Sequence, residues 1–448
     1  MAQTFDVVIA GGTLVNHNGI GAGDVGIRNG RIAALGTLDR TAAGRVIDAH
    51  GLHVLPGVID SQVHFREPGL EHKEDLEAGA RGAVLGGVTS VFEMPNTNPS
   101  TTTADALSDK LTRAQGRMAC NFAFYIGAAA DNIAALATLE RMPGCAGVKL
   151  FMGSSTGSLL VAEDEPIRAI LKSGQRRVAV HCEDEARLQE RRGERVEGDP
   201  ASHPVWRDVE TALRATTRLV RMARETGRRV HVLHVTTAEE MAFLASHRDI
   251  ATVETTPQHL TLAAPECYQK LGTFAQMNPP IREAHHRDAL WNAVRDGVVD
   301  VIGSDHAPHT REEKARIYPA TPSGMTGVQT LVPLLLDHVN AGRMTLERFV
   351  DLTSHGAQRI FGLAGKGRLA VGYDADITIV DLKARRTIDE GWIASRSGWT
   401  PFHGKQVTGW PKGTIVGGHL AMWEDELIGA PQGKPIRFQE TLGEQSSV

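Results

Sequence analysis

Gln62, His64 and Arg66 alternate at the end of an apolar run, in the order Val58-Ile59-Asp60-Ser61-Gln62-Val63-His64-Phe65-Arg66-Glu67-Pro68-Gly69. In a strand, residues two apart face the same way, so these three side chains can project together. An imidazole followed by a guanidinium suits a metal ligand and an anion clamp. A strand end meeting water explains the stretch equally well, and the later chain decides. Lys149, in Gly147-Val148-Lys149-Leu150-Phe151-Met152, sits in another apolar run. His181, His234 and Asp305 follow the same rule, in Val-Ala-Val-His-Cys-Glu-Asp, His-Val-Leu-His-Val and Ile-Gly-Ser-Asp-His-Ala-Pro-His. One histidine at a strand end is more often a hydrogen-bonded rim residue than a ligand. Three, joined by an aspartate at further strand ends, point to a divalent metal such as zinc, because imidazole and carboxylate are its ordinary donors.

Lys149 is the odd member. A protonated amine has no lone pair for a metal, and burial beside cations depresses its pKa. It reads either as a salt-bridged lysine or as one that combines with carbon dioxide. The resulting carbamate is anionic and could bridge two metals. Asp305 suits a ligand that also takes a proton from water, and Arg66 can hold a carboxylate in a bidentate fork. Asn96, in Met94-Pro95-Asn96-Thr97, and Asn278, in Asn278-Pro279-Pro280-Ile281-Arg282, lie in Pro-rich loops where either could simply cap a turn. His306 and His309 bracket Ala307-Pro308, and one of them is expected to contact substrate.

The elements that must position these residues follow from periodicity. Residues 6–54 read as short strands with glycine turns, including a hairpin at Asn18-Gly19. From Leu55 apolar strand-like runs alternate with helical stretches, about eight times up to Gly303. That is the pattern and size of a (β/α)8 barrel over residues 55–365. An open doubly wound sheet is less favoured, because no Gly-rich fingerprint opens the first helix. After about residue 366 the chain returns to strands, with Gly367–Gly372 leading into Ala375–Asp381, then Thr414–Val416 and Ala421–Trp423. Residues 1–54 and 366–448 are expected to form one composite β-sandwich beside the barrel. The tail from Glu440 to Val448 reads as frayed. The segment 311–327 reads equally as a lid or as a fixed wall.

Net charge is −5 over 448 residues, which argues against nucleic acid or an anionic membrane surface as a partner. The cysteines Cys120, Cys145, Cys182 and Cys267 have no paired spacing and read as reduced thiols of a cytoplasmic protein. No signal peptide or run long enough to cross a bilayer is visible.

Taken in order, these motifs, with Gly57-Val58-Ile59-Asp60, Lys149-Leu150-Phe151-Met152 and Gly372-Tyr373-Asp374-Ala375-Asp376, resemble the amidohydrolase superfamily and, within it, the dihydroorotases. The resemblance covers nearly the whole chain. It implies a barrel with a composite β-domain. It implies His64, carboxylated Lys149, His181, His234 and Asp305 around one or two zinc ions, with Asp305 catalytic. It implies Arg66, Asn96, Asn278 and His309 around the carboxylate and ring of dihydroorotate, which is interconverted with N-carbamoyl-aspartate in pyrimidine biosynthesis. A homodimer is also implied. One position departs: the family pattern Asp-x-His-x-His has Gln62 in place of its first histidine. A neutral amide is a weaker ligand, so either a weakened second ion or a single ion at Lys149, His181 and His234 is expected. Two other readings remain: a hydantoinase or allantoinase-like cyclic amidohydrolase, and a non-catalytic scaffold for aspartate transcarbamoylase.

Overall fold

A computed structural model describes residues 4–443 apart from Thr156 and the side chain of Ala42. The expected frayed tail beyond residue 443 lies outside the described residues. Five strands come first: β1 (Phe5–Asn16), β2 (Gly19–Arg28), β3 (Arg31–Gly36), β4 (Ala43–Asp48) and β5 (His53–Pro56). Eight more alternate with helices: β6 (Val58–Val63), β7 (Val88–Glu93), β8 (Asn121–Gly127), β9 (Cys145–Phe151), β10 (Val178–His181), β11 (Val230–Val232), β12 (Ala251–Thr255) and β13 (Val301–Ile302). The chain ends with β14 (Ile377–Thr387), β15 (Gln406–Val416), β16 (His419–Trp423) and β17 (Glu426–Leu427).

Strands β6 to β13 form one parallel eight-stranded sheet in sequence order. A parallel bridge between Val63 and His306 brings its two ends together, and His64 N donates to His306 O at 2.7 Å. Asp60 reinforces that seam, since its Oδ1 accepts from the amides of Gln62 and Ser304. Burial pushes the Asp60 carboxyl up to about 7, against the hydrogen bonds from Ser304. The result is a nearly closed barrel with helices outside, as the alternation predicts.

The longest helix, Val209–Thr226, shows how local sequence builds the outer layer. Asp208 caps it by accepting from Thr211 N, and Gly227 ends it at φ +70°. Its buried residues Ala212, Ala215, Leu219 and Ala223 recur every three or four positions and face the strands. Burying a side chain the size of Leu219 contributes about 2 kcal/mol.

Strands from both chain ends share the second sheet, in which β14 pairs antiparallel with β5 and β1 pairs parallel with β5 and β4. The apolar run at Leu55–Ile59 is therefore divided, because β5 belongs to this sheet and β6 to the barrel. Ile9, Val25, Val54, Ile377 and Ile415 form its core. Asp376 ties it to the barrel by accepting from Asn121 Nδ2 at 3.0 Å while its carbonyl accepts from Gly57 N.

Two sequence readings are corrected. Residues 367–372 form no strand: Gly367 and Gly372 both take positive φ, and Leu369 exchanges hydrogen bonds with the side chain of Asn16 instead. β11 and β13 stop at Val232 and Ile302, short of His234 and Gly303, because the chain turns out of the sheet to deliver side chains to the mouth. The helix Leu331–Asn340, packed on β15, was not among the repeats read from periodicity. Its apolar run Leu331-Val332-Pro333-Leu334-Leu335-Leu336 contains a proline that masks the helical signal.

Candidate active site

Side chains from six strand ends and three loops line one pocket at the barrel mouth. They include Gln62, His64, Arg66, Asn96, Lys149, His181, His234, Asn278 and Asp305. Residues some 240 positions apart thus meet, as a parallel barrel requires of its carboxyl ends. His309 does not line the pocket; it is fully buried behind Arg66, with Nε2 3.2 Å from Arg66 Nη2. His306 is also outside, its Nδ1 accepting from Gly327 N at 3.0 Å. Ser323 and Gly324 on the pocket wall come from the 311–327 segment expected as a lid or wall, whereas Phe151, the last residue of β9, and the loop residue Ser155 carry no chemical signal in the sequence. No periodic signal marks loop residues of this kind.

Arg66, His234 and Asp305 adopt φ of +66°, +37° and +44°. Such left-handed backbone costs of order 1–3 kcal/mol per non-glycine residue and concentrates at functional sites. The barrel supports this strain because each residue leaves a buried strand at the mouth.

The hydrogen bonds assign the imidazole tautomers. His64 Nδ1 lies 2.8 Å from Asn96 Oδ1, an acceptor, so its proton sits there. That leaves the Nε2 lone pair 3.2 Å from Asp305 Oδ1, which also accepts from Gln62 Nε2 at 2.9 Å. His181 Nε2 donates to Glu183 Oε2 at 2.9 Å, so its Nδ1 lone pair faces His234 Nε2 at 3.0 Å. Glu183 is held in turn by Arg207. Burial draws His64, His181 and His234 below the ordinary imidazole value, keeping lone pairs available. Burial likewise lowers Lys149, whose Nζ lies 4.4 Å from the Phe151 ring centre, and raises Asp305.

Two pairs of facing donors at 3.0 and 3.2 Å approach the edge of a tetrahedron around a divalent ion, about 3.4 Å for bonds near 2.1 Å. Among the described residues no three His, Cys, Asp or Glu side chains are drawn together closely enough to hold an ion. The donors fit a divalent cation as two pairs, each needing a further ligand.

Arg66 is fixed by Nε donating to Pro308 O at 3.1 Å, and its buried Nη1 has no partner among the described residues. Burial lowers its pKa only to about 10, so it stays cationic at neutral pH. The segment 311–327 forms a pinned wall. Gly324 N donates to Gln276 O at 3.0 Å, and Lys314 Nζ donates to Gln276 O and Pro322 O at 3.0 Å each. Gly324 holds φ +148°, and a Cβ there would strike the Ala307 carbonyl.

Barrel and mouth together define a class: a (β/α)8 enzyme with its reactive groups at the strand carboxyl ends. The chain belongs to the amidohydrolase family, whose model matches residues 53–421. Members of this family are generally metal-dependent. The chain is 36% identical to a dihydroorotase of Halobacterium salinarum, over 92% of this chain and 96% of that one. It is 34% identical to a dihydroorotase of Methanosarcina mazei, over 98% and 99%. Among solved structures it matches the L-hydantoinase of Arthrobacter aurescens with a TM-score of 0.91 and 29% identity, covering 97% of this chain and 100% of that one. No helix among the described residues is long and apolar enough to cross a membrane.

Proposed function

We propose that this chain is a dihydroorotase, a cytoplasmic enzyme of pyrimidine biosynthesis that interconverts dihydroorotate and N-carbamoyl-aspartate. The observation that carries this reading is Arg66 Nη1, a buried cationic donor without a partner among the described residues, in a pocket of paired metal-type donors. A cyclic amide bearing a carboxylate completes both halves of that pocket. The likeness to hydantoinase structures supports the shared scaffold. The curated dihydroorotases match at higher identity, and a hydantoin ring offers Arg66 no carboxylate.

His181, His234 and a carboxylated Lys149 would hold zinc, and His64 with Asp305 offer a second position that Gln62 weakens. Bound there, the ion would polarise the amide carbonyl and lower the pKa of water. Lys149 is suited to carboxylation because its buried amine is readily neutral, and only a neutral amine attacks carbon dioxide. The carbamate would supply the further ligand that both donor pairs lack. Arg66 and Asn96 bind the substrate carboxylate, with His309 backing Arg66, and Asn278 faces the ring. Asp305 takes a proton from the attacking water and returns it to the ring nitrogen as the C–N bond breaks.

Turnover of dihydroorotate, hydantoin and allantoin by the purified protein tests the assignment. The expected result is turnover of dihydroorotate alone, with Arg66→Met raising KM at least about tenfold. Preferential turnover of hydantoin would overturn it. No turnover, with co-purification of aspartate transcarbamoylase, would favour the scaffold reading. Light scattering tests the homodimer that the family likeness supports.

A further inference from the structure

Behind the pocket, His309, Lys73 and Glu313 run back from the Arg66 clamp as a chain of polar contacts. Lys73 Nζ lies 3.1 Å from His309 Nδ1 and 3.0 Å from Glu313 Oε1. His309 Nε2 lies 3.0 Å from Ser323 O and 3.2 Å from Arg66 Nη2. Lys73 and His309 are both buried.

These partners select one tautomer. A lysine ammonium can only donate, and a carbonyl can only accept. Lys73, paired with Glu313, therefore requires a lone pair on Nδ1, and Ser323 O requires a proton on Nε2. The opposite tautomer would set N–H against ammonium and a lone pair against carbonyl. With its proton on Nε2, His309 cannot accept from Arg66. The Nη groups of Arg66 are thus denied an internal acceptor, in keeping with the orphaned Nη1.

We propose that Lys73 is a positioning residue for the anion clamp: by holding His309 as the Nε2–H tautomer, it keeps the Arg66 fork free for the substrate carboxylate. Without Lys73, Ser323 O alone would hold the proton on Nε2, and His309 would in part place it on Nδ1, 3.7 Å from Glu313 Oε2, and accept from Arg66 Nη2. The guanidinium would then be partly satisfied within the protein, and anion binding would weaken. The same contact anchors Ser323, so Lys73 also connects the clamp to the pocket wall. The inference rests on the proposed carboxylate-bearing substrate.

The test titrates orotate, a carboxylate-bearing ring, and uracil, its counterpart without the carboxylate, into the metal-loaded protein by calorimetry. Unmodified protein, Lys73→Met and Lys73→Arg are compared, with thermal midpoints and dihydroorotate turnover measured on the same preparations. The expected result is orotate affinity about tenfold weaker in Lys73→Met, partly restored in Lys73→Arg. KM should rise in parallel while kcat stays within about twofold. Uracil affinity should not change. Equal orotate affinity in all three proteins would overturn the inference. So would a fall in kcat together with the midpoint and no selective loss of orotate, which would assign Lys73 to folding alone. Failure of the unmodified protein to turn over dihydroorotate would instead count against the functional reading, and the orotate comparison would still decide the role of Lys73.

Discussion

Gln62 Nε2 donates to Asp305 Oδ1 at 2.9 Å, and the same oxygen faces His64 Nε2 at 3.2 Å. An amide N–H thus occupies a lone pair that a second ion would use, while Gln62 Oε1 is buried without a partner among the described residues.

Replacing Gln62 by histidine removes that competing donor and adds a strong nitrogen ligand. Metal content by elemental analysis is expected to rise by about one zinc per chain in Gln62→His. Unchanged content would show that Gln62 does not limit the site.

Asp305→Asn keeps the volume and hydrogen-bonding shape of the side chain but cannot carry a proton. Dihydroorotate turnover should fall about 10²–10⁴-fold. The thermal midpoint should hold or rise, since a buried carboxylate whose pKa burial raises is a cost to folding. Near-normal turnover would remove Asp305 from the reaction.

Stripping the metal with a chelator should abolish turnover. If Lys149 is carboxylated, zinc added with bicarbonate should restore it faster than zinc alone in carbon dioxide-depleted buffer, since the carbamate must re-form. Equal recovery under both conditions would count against carboxylation.

Asp208 gives a pH-dependent prediction remote from the mouth. It caps the helix Val209–Thr226 and pairs with Arg187. Burial opposes ionisation, but the hydrogen bonds from Arg187 and Thr211 outweigh it and hold the carboxyl at about 2. A folded pKa below the unfolded one of about 3.9 stabilises the fold above that value, and the gain is lost as pH falls toward 2. Asp208→Asn should cost about 1–2 kcal/mol at pH 6 and roughly half as much at pH 3, read by urea unfolding. A pH-independent difference would contradict this account.

Much of the barrel was legible because burial writes itself into local pattern. Apolar runs at β7, β8 and β9 and the recurring apolar positions of Val209–Thr226 mark strand and helix directly. His64, Lys149, His181, His234 and Asp305 stood out as polar residues closing such runs, and all five line the pocket. The segment 311–327 was legible as a lid or a wall but not as which, since a loop held by Gln276 and Lys314 carries no period of its own.

The order of types along the chain, by itself, determined a (β/α)8 barrel with strands from both ends beside it. It also determined which donors reach the mouth, because strand and helix periods depend only on near neighbours. Tertiary structure alone decided what each donor does there. Gln62 meets Asp305 across 243 positions, Lys73 meets His309 across 236, and Arg207 meets Glu183 across 24. A tautomer, an orphaned guanidinium nitrogen or a competing amide depends on which acceptor lies within about 3 Å, and only closure of the barrel brings those atoms that near.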